Sequence, residues 1–138
     1  MLRDIKDSEI FTSLADIFRK KSDGLLVFLF GSAASGKMAE GSDIDIAILF
    51  ECQPDVYDIN DLKSELNGIF KRDIDIAVLN VASPILKMQV LKNGVLVFAK
   101  DRNIYNQFYV DVVNQYDDLK QTRKICEDNI LKGRIYAG

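Results

Sequence analysis

Two seven-residue stretches constrain this chain more than any other feature: Asp43-Ile44-Asp45-Ile46-Ala47-Ile48-Leu49 and Asp73-Ile74-Asp75-Ile76-Ala77-Val78-Leu79. Acid alternating with branched aliphatic has a period of two, which a strand satisfies and a helix does not. Each stretch therefore reads as a strand with one aliphatic face and one acidic face. The likeness of the two does not require duplication. Seven residues are too few to support it, and two strands that face one site look alike in any case.

Other elements follow from the same logic. Ile10, Phe11, Leu14, Ile17 and Phe18 recur at helical spacing, so residues 8–21 read as a helix with Asp7 or Ser8 as its N-cap. Leu25 to Phe30 is an unbroken apolar run of strand length, as expected of a strand covered on both faces. The small-residue segment from Gly31 to Ser42 has room for a short helix around Ala33–Met38. Pro54 and Asp55 open a helix with Val56, Ile59, Leu62, Leu66 and Ile69 on one side. Ser83-Pro84 gives an N-cap with proline at the first helical position, and Asn93-Gly94 stops that helix. Val95 to Ala99 make a fourth strand, and from Asn103 the pattern is helical to the end. The order is α-β-(short α)-β-α-β-α-β-α. It predicts an α/β (α+β) fold, a small mixed four-stranded sheet flanked by helices. The 138 residues suit one domain, divided into a core over 1–102 and a C-terminal helix over 103–138 that packs on the core or on a partner.

Composition enters by what it removes. There is no histidine, so Ser-His-Asp triads, Cys-His pairs, histidine bases and the common zinc sites are all excluded. Catalysis must rest on carboxylates, lysine, tyrosine or bound metal. A net charge of −3 argues against direct, non-specific nucleic-acid binding, which needs a basic face. Cys52 and Cys126 have no CxxC spacing and read as reduced thiols. No apolar run is long enough to span a bilayer and no targeting segment is visible, so a cytoplasmic protein without membrane association is expected.

The chemistry is concentrated in Gly31-Ser32, ten intervening residues, and Asp43-Ile44-Asp45. On a strand, Asp43 and Asp45 share a face, and two carboxylates that close repel unless a cation lies between them. Hard oxygen ligands of this kind suit Mg²⁺ together with substrate phosphates, and a pair of ions can clamp the attacking and leaving oxygens of a transfer. Gly31 lets the backbone approach a phosphate without a Cβ, Ser32 adds a hydroxyl, and Ser42 can orient Asp43 or cap the turn. A third carboxylate from a neighbouring strand would complete the site. Asp73 and Asp75 both qualify by parity; Asp75 is preferred because it lies deeper in its strand, where an unpaired buried carboxylate would be costly. Lys71-Arg72 reads as a solvated strand entrance, with triphosphate contact as the alternative, and Lys37 is a candidate phosphate contact. The aromatic stripe from Tyr105 to Tyr116 reads as core packing rather than a base-stacking surface.

The pattern Gly31-Ser32-x10-Asp43-x-Asp45 resembles the signature of the DNA polymerase β-like nucleotidyltransferase superfamily. Size, element order and the stretch from Ile74 through Pro84, Asn93-Gly94 and Phe98 to Asp101-Arg102 resemble its minimal nucleotidyltransferase (MNT) branch. The closest likeness is to the MntA-type antitoxins of HEPN/MNT toxin–antitoxin pairs. The resemblance covers roughly residues 20–120. It implies magnesium, two ions, on Asp43, Asp45 and Asp75, and triphosphate contact by Gly31 and Ser32. It implies ATP as nucleotide donor and AMP transfer to a tyrosine of a HEPN RNase toxin, in a type VII-like antitoxin. One departure stands out: many relatives carry arginine after Gly-Ser, where this chain has Ala33-Ala34-Ser35-Gly36-Lys37, which implies either weaker triphosphate affinity or Lys37 as a substitute, a point charge instead of a bidentate fork. Two rival readings stay open. One is a small-molecule nucleotidyltransferase of the aminoglycoside-modifying kind, and the other is an antitoxin that neutralises by binding alone.

Overall fold

In a computed structural model, which describes residues 2–21, 23–30 and 43–137, the chain runs α1 (Leu2–Lys20), β1 (Gly24–Phe30), β2 (Ile44–Phe50), α2 (Val56–Phe70), β3 (Ile74–Val78), α3 (Pro84–Asn93), β4 (Val95–Ala99) and α4 (Arg102–Ala137). The four strands form one mixed sheet in the order β3-β2-β1-β4. β1 pairs antiparallel with β2 and β4, whereas β2 and β3 run parallel, as a strand–helix–strand connection through α2 allows.

Strand alternation divides the core in two. Val27, Leu29, Ile44, Ile46, Ile48, Ile74 and Val97 bury one face of the sheet against α1 and α2, through Ile10, Leu14, Phe18, Leu62 and Leu66. Leu26, Phe28, Ala47 and Leu79 bury the other against α3 and α4, through Val90, Phe108 and Val112. β1 and β2 are thus covered on both sides, which is why β1 reads as an unbroken apolar run.

Local sequence sets the element ends. Asp55 accepts from the Asp58 N–H and Asp58 accepts from the Asp55 N–H, a reciprocal capping box that opens α2. Ser83 accepts from the Leu86 N–H with Pro84 in the first turn of α3. Gly94 ends α3 for a reason the sequence does not display. Its backbone is extended (φ −85°, ψ 168°), and a Cβ there would meet the Val90 carbonyl oxygen at 2.5 Å and the Leu29 carbonyl oxygen at 3.1 Å. Glycine is required for close approach, not for a left-handed turn.

One expectation needs adjustment. α1 begins at Leu2, so Asp7 and Ser8 lie inside the helix rather than capping it; residues 2–6 contain neither glycine nor proline to stop it. The short helix expected around Ala33–Met38 lies outside the described residues. No helix among the described residues is long and apolar enough to cross a membrane.

Candidate active site

Of the sequence-predicted site residues, the structure describes Asp43, Asp45 and Asp75; Gly31, Ser32, Lys37 and Ser42 lie outside the described residues. Asp45 sits in β2, the second strand of the sheet, with Phe30 of β1 as its partner on one side and Asp75 of β3 on the other. Ile44 and Ile46 point into the α1/α2 core with no exposed surface, so Asp45 stands on the opposite face of the sheet, shared with Ala47. Asp75 has the same relation to Ile74, which is also fully buried. The carboxylates therefore stand on one face and are neighbours across a parallel register.

This alters the argument for Asp75 over Asp73. Asp75 is exposed, not buried, so the cost of burying an unpaired carboxylate is not what distinguishes it. Register does. Asp75 lies directly opposite Asp45, while exposed Asp73 precedes β3 and gives its carbonyl to the Ile44 N–H at 2.8 Å.

Electrostatics agree with the placement. The Asp45 carboxyl is held above the usual carboxylate range, first by burial, then by the charge of Asp75, then by that of Asp43. Asp75 and Asp43 thus crowd negative charge around Asp45. Among the described residues, no three acids or thiols are already drawn together as a closed metal cage. The donor set nonetheless fits a hard divalent cation, since oxygen ligands with excess negative charge are what Mg²⁺ takes, and it ordinarily relies on few protein ligands plus substrate oxygens. β1 ends at Phe30, opposite Asp45, at this same end of the sheet.

Sequence reasoning missed Asn80. Its carboxamide accepts from the Phe50 N–H at 2.9 Å and donates to the Phe50 carbonyl at 2.9 Å, continuing the β2–β3 ladder one step past Leu79, whose N–H bonds the Ile48 carbonyl. Nothing distinguishes it in sequence beyond being a polar residue at a strand end.

Residues 12–103 match the polymerase beta nucleotidyltransferase family. The chain belongs to that family. It is accordingly a nucleotidyltransferase, an enzyme with a nucleotide substrate, and the polymerase β-like fold expected from the sequence is the one observed. Among curated relatives, the protein adenylyltransferase MntA of Shewanella oneidensis is 27% identical over 130 residues, 94% of this chain and 91% of that protein. A chain of a toxin–antitoxin crystal structure with AMP-PNP superposes with a TM-score of 0.72 at 27% identity, covering 91% of this chain and 98% of that one. A chain from a complex of the tri-AMPylated Shewanella oneidensis HEPN toxin with its MNT antitoxin gives 0.67 at 25% identity, covering 94% and 98%.

Proposed function

We propose that this nucleotidyltransferase is the antitoxin of a HEPN/MNT toxin–antitoxin pair, a protein adenylyltransferase that moves AMP from ATP to a tyrosine hydroxyl of its HEPN RNase toxin. What supports the reading is one observation: the parallel register that sets Asp75 beside Asp45, in a fold shared over nearly full length with toxin–antitoxin chains. The tri-AMPylated toxin of the similar complex is the reason for extending the proposal to repeated transfer. The protein acts in the cytoplasm, where ATP and an RNase target both reside.

Asp43, Asp45 and Asp75 would hold magnesium, which when bound supplies charge neutralisation for the triphosphate and Lewis acidity at the α-phosphorus. Gly31 and Ser32, with Ser42 and Lys37, hold the triphosphate and orient the α-phosphorus toward the acceptor. Asp75, on the outer strand, takes the proton of the incoming hydroxyl at its carboxylate. Holding donor and acceptor in line is itself a large part of the rate enhancement, because there is little covalent work for the protein to do.

The test is intact mass spectrometry of the HEPN protein encoded beside this chain, incubated with it, ATP and Mg²⁺. Mass increments of one AMP that disappear in Asp43→Ala, Asp45→Ala are expected. Tight association without any increment would instead make the chain a contact-only antitoxin. Absence of association would point to a small-molecule acceptor.

A further inference from the structure

β3, which carries Asp75, is an outer strand of the sheet. Two bonds to β2 fix the direction of its backbone groups: the Ile44 N–H donates to the Asp73 carbonyl and the Leu79 N–H to the Ile48 carbonyl, each at 2.8 Å. In a parallel pair with this register, Asp75 and Ala77 turn their N–H and carbonyl groups toward β2, whereas Ile74, Ile76 and Val78 turn theirs to the outer edge. That edge is closed at both ends. Ile74 is fully buried, and the Val78 carbonyl accepts from the Val81 N–H at 3.3 Å as the chain turns toward α3. Between these ends, the Ile76 N–H, the Ile76 carbonyl and the Val78 N–H have no hydrogen-bond partner among the described residues, and both residues are partly exposed. Unpaired backbone groups on an outer strand are a template for one more strand, and β3 has neither a proline nor a bulge against β2 to prevent it. What marks the edge instead is charge. Asp73 and Asp75 disfavour pairing with the same edge of a second copy, which would bring like charges together, and favour a segment that is neutral or basic.

We infer that an extended segment of the acceptor protein adds to this edge as a further strand, paired to Ile76 and Val78, and so sets its hydroxyl-bearing residue beside Asp75. The inference rests on the adenylyltransferase reading above. Neighbours across a ladder share a face, so a residue opposite Asp75 puts its side chain on the acid face, with its Cβ about 5 Å from that of Asp75. A tyrosine there continues the row formed by Phe30, Asp45 and Asp75 outward by one strand. Two positions along the segment, the next side chain on that face lies beside Ala77, where a large residue finds room. Val81, 62% exposed on the turn that closes the far end, offers an apolar contact. The covered end at Ile74 stops pairing beyond Asp75, so the segment cannot slide and the hydroxyl is delivered to one place. Main-chain bonds of this kind supply affinity, while the side chains beside Asp75 and Ala77 supply selectivity.

The experiment is amide hydrogen exchange of the full chain, free and bound to the HEPN protein encoded beside it. In the free chain the Ile76 and Val78 amides should exchange faster than those of Asp75 and Ala77, which bond to β2. In the complex the Ile76 and Val78 amides should slow by about tenfold or more. Mutation gives a second reading. Ile76→Pro removes an outward N–H and no bond to β2, a change that edge strands tolerate. It should melt cooperatively and bind ATP as wild type does, yet bind the HEPN protein about tenfold more weakly, the order of one lost hydrogen bond, and transfer AMP to it more slowly. Ile76→Ala loses side chain but keeps the N–H, and should transfer AMP at the wild-type rate. If Ile76→Pro does not fold, the exchange measurement decides alone. Unchanged exchange at Ile76 and Val78 in a complex that still adenylylates overturns the inference and leaves the adenylyltransferase reading standing, as do equal transfer rates for Ile76→Pro and Ile76→Ala. If wild type transfers no AMP, both fail.

Discussion

At the scale of single residues, Asp45 links the electrostatics to a measurable quantity. Because its carboxyl titrates above the usual range, the folded protein holds that proton more tightly than the unfolded chain does. The stability it lends is present below the ordinary carboxylate pKa and lost as pH rises through the raised value. In the absence of divalent metal at neutral pH, Asp45→Asn should therefore melt higher than wild type, with the gap closing toward about pH 4. Mg²⁺ should raise the melting temperature of wild type at neutral pH and not that of the variant, and this increment should also shrink on acidification as the ligands take up protons. Equal melting of wild type and Asp45→Asn in chelator would refute the charge-crowding account. The third carboxylate has its own assay: Asp75→Asn should cost about a hundredfold or more in transfer, and Asp73→Asn much less. The residues themselves were legible in sequence, since strand parity alone puts Asp43 and Asp45 on one face. The reason for preferring Asp75 was not, because exposure and cross-strand register depend on which strand lies next to which. Parity cannot tell Asp73 from Asp75.

At the scale of elements, periodicity located each of the eight elements the structure describes to within a residue or two, apart from the start of α1. Caps explain this precision: Asp55 and Ser83 are local hydrogen-bonding devices, readable where they stand. Ser83→Ala should cost about 1 kcal/mol by chemical denaturation, as loss of an N-cap does. Gly94 is of another kind. Its need for glycine arises from close backbone approach, first to the Val90 carbonyl oxygen and then to the Leu29 carbonyl of a strand distant in sequence, so the spacing that predicted a helix stop gave the position without the cause. Gly94→Ala should destabilise despite its ordinary φ, because the atoms in the way are backbone and cannot turn aside; unchanged stability would contradict the packing described. The aromatic stripe of α4 was half legible. Phe108 and Val112 are buried and Tyr105 lies 6.2 Å from Phe28, but Tyr109 is half exposed, a distinction set by how the helix lies on the sheet.

At the scale of the whole molecule, α4 is out of proportion to the core it caps. Its 36 residues amount to about 54 Å of helix, and among the residues whose side chains are described its buried contacts with the sheet are Phe108 and Val112. Whether the rest of the helix serves the core or a partner, the two alternatives left by the sequence, is decided by truncation. A chain ending after Lys120 should keep the cooperative melt of the full protein but lose association with the HEPN toxin and its adenylylation. Persistent association would place the interface on the core. The near-repeat of acid and aliphatic in β2 and β3 has one more consequence. Sliding β3 by two residues along β2 would still put isoleucine over isoleucine and an aspartate beside Asp45, so hydrophobic pattern alone discriminates poorly between the two pairings. Asn80 does discriminate: only in the native alignment does its carboxamide meet both backbone groups of Phe50. Asn80→Ala would then act less as a lost contact than as a lost proofreader, slowing refolding through a population of shifted, inactive molecules that are as compact as the native ones.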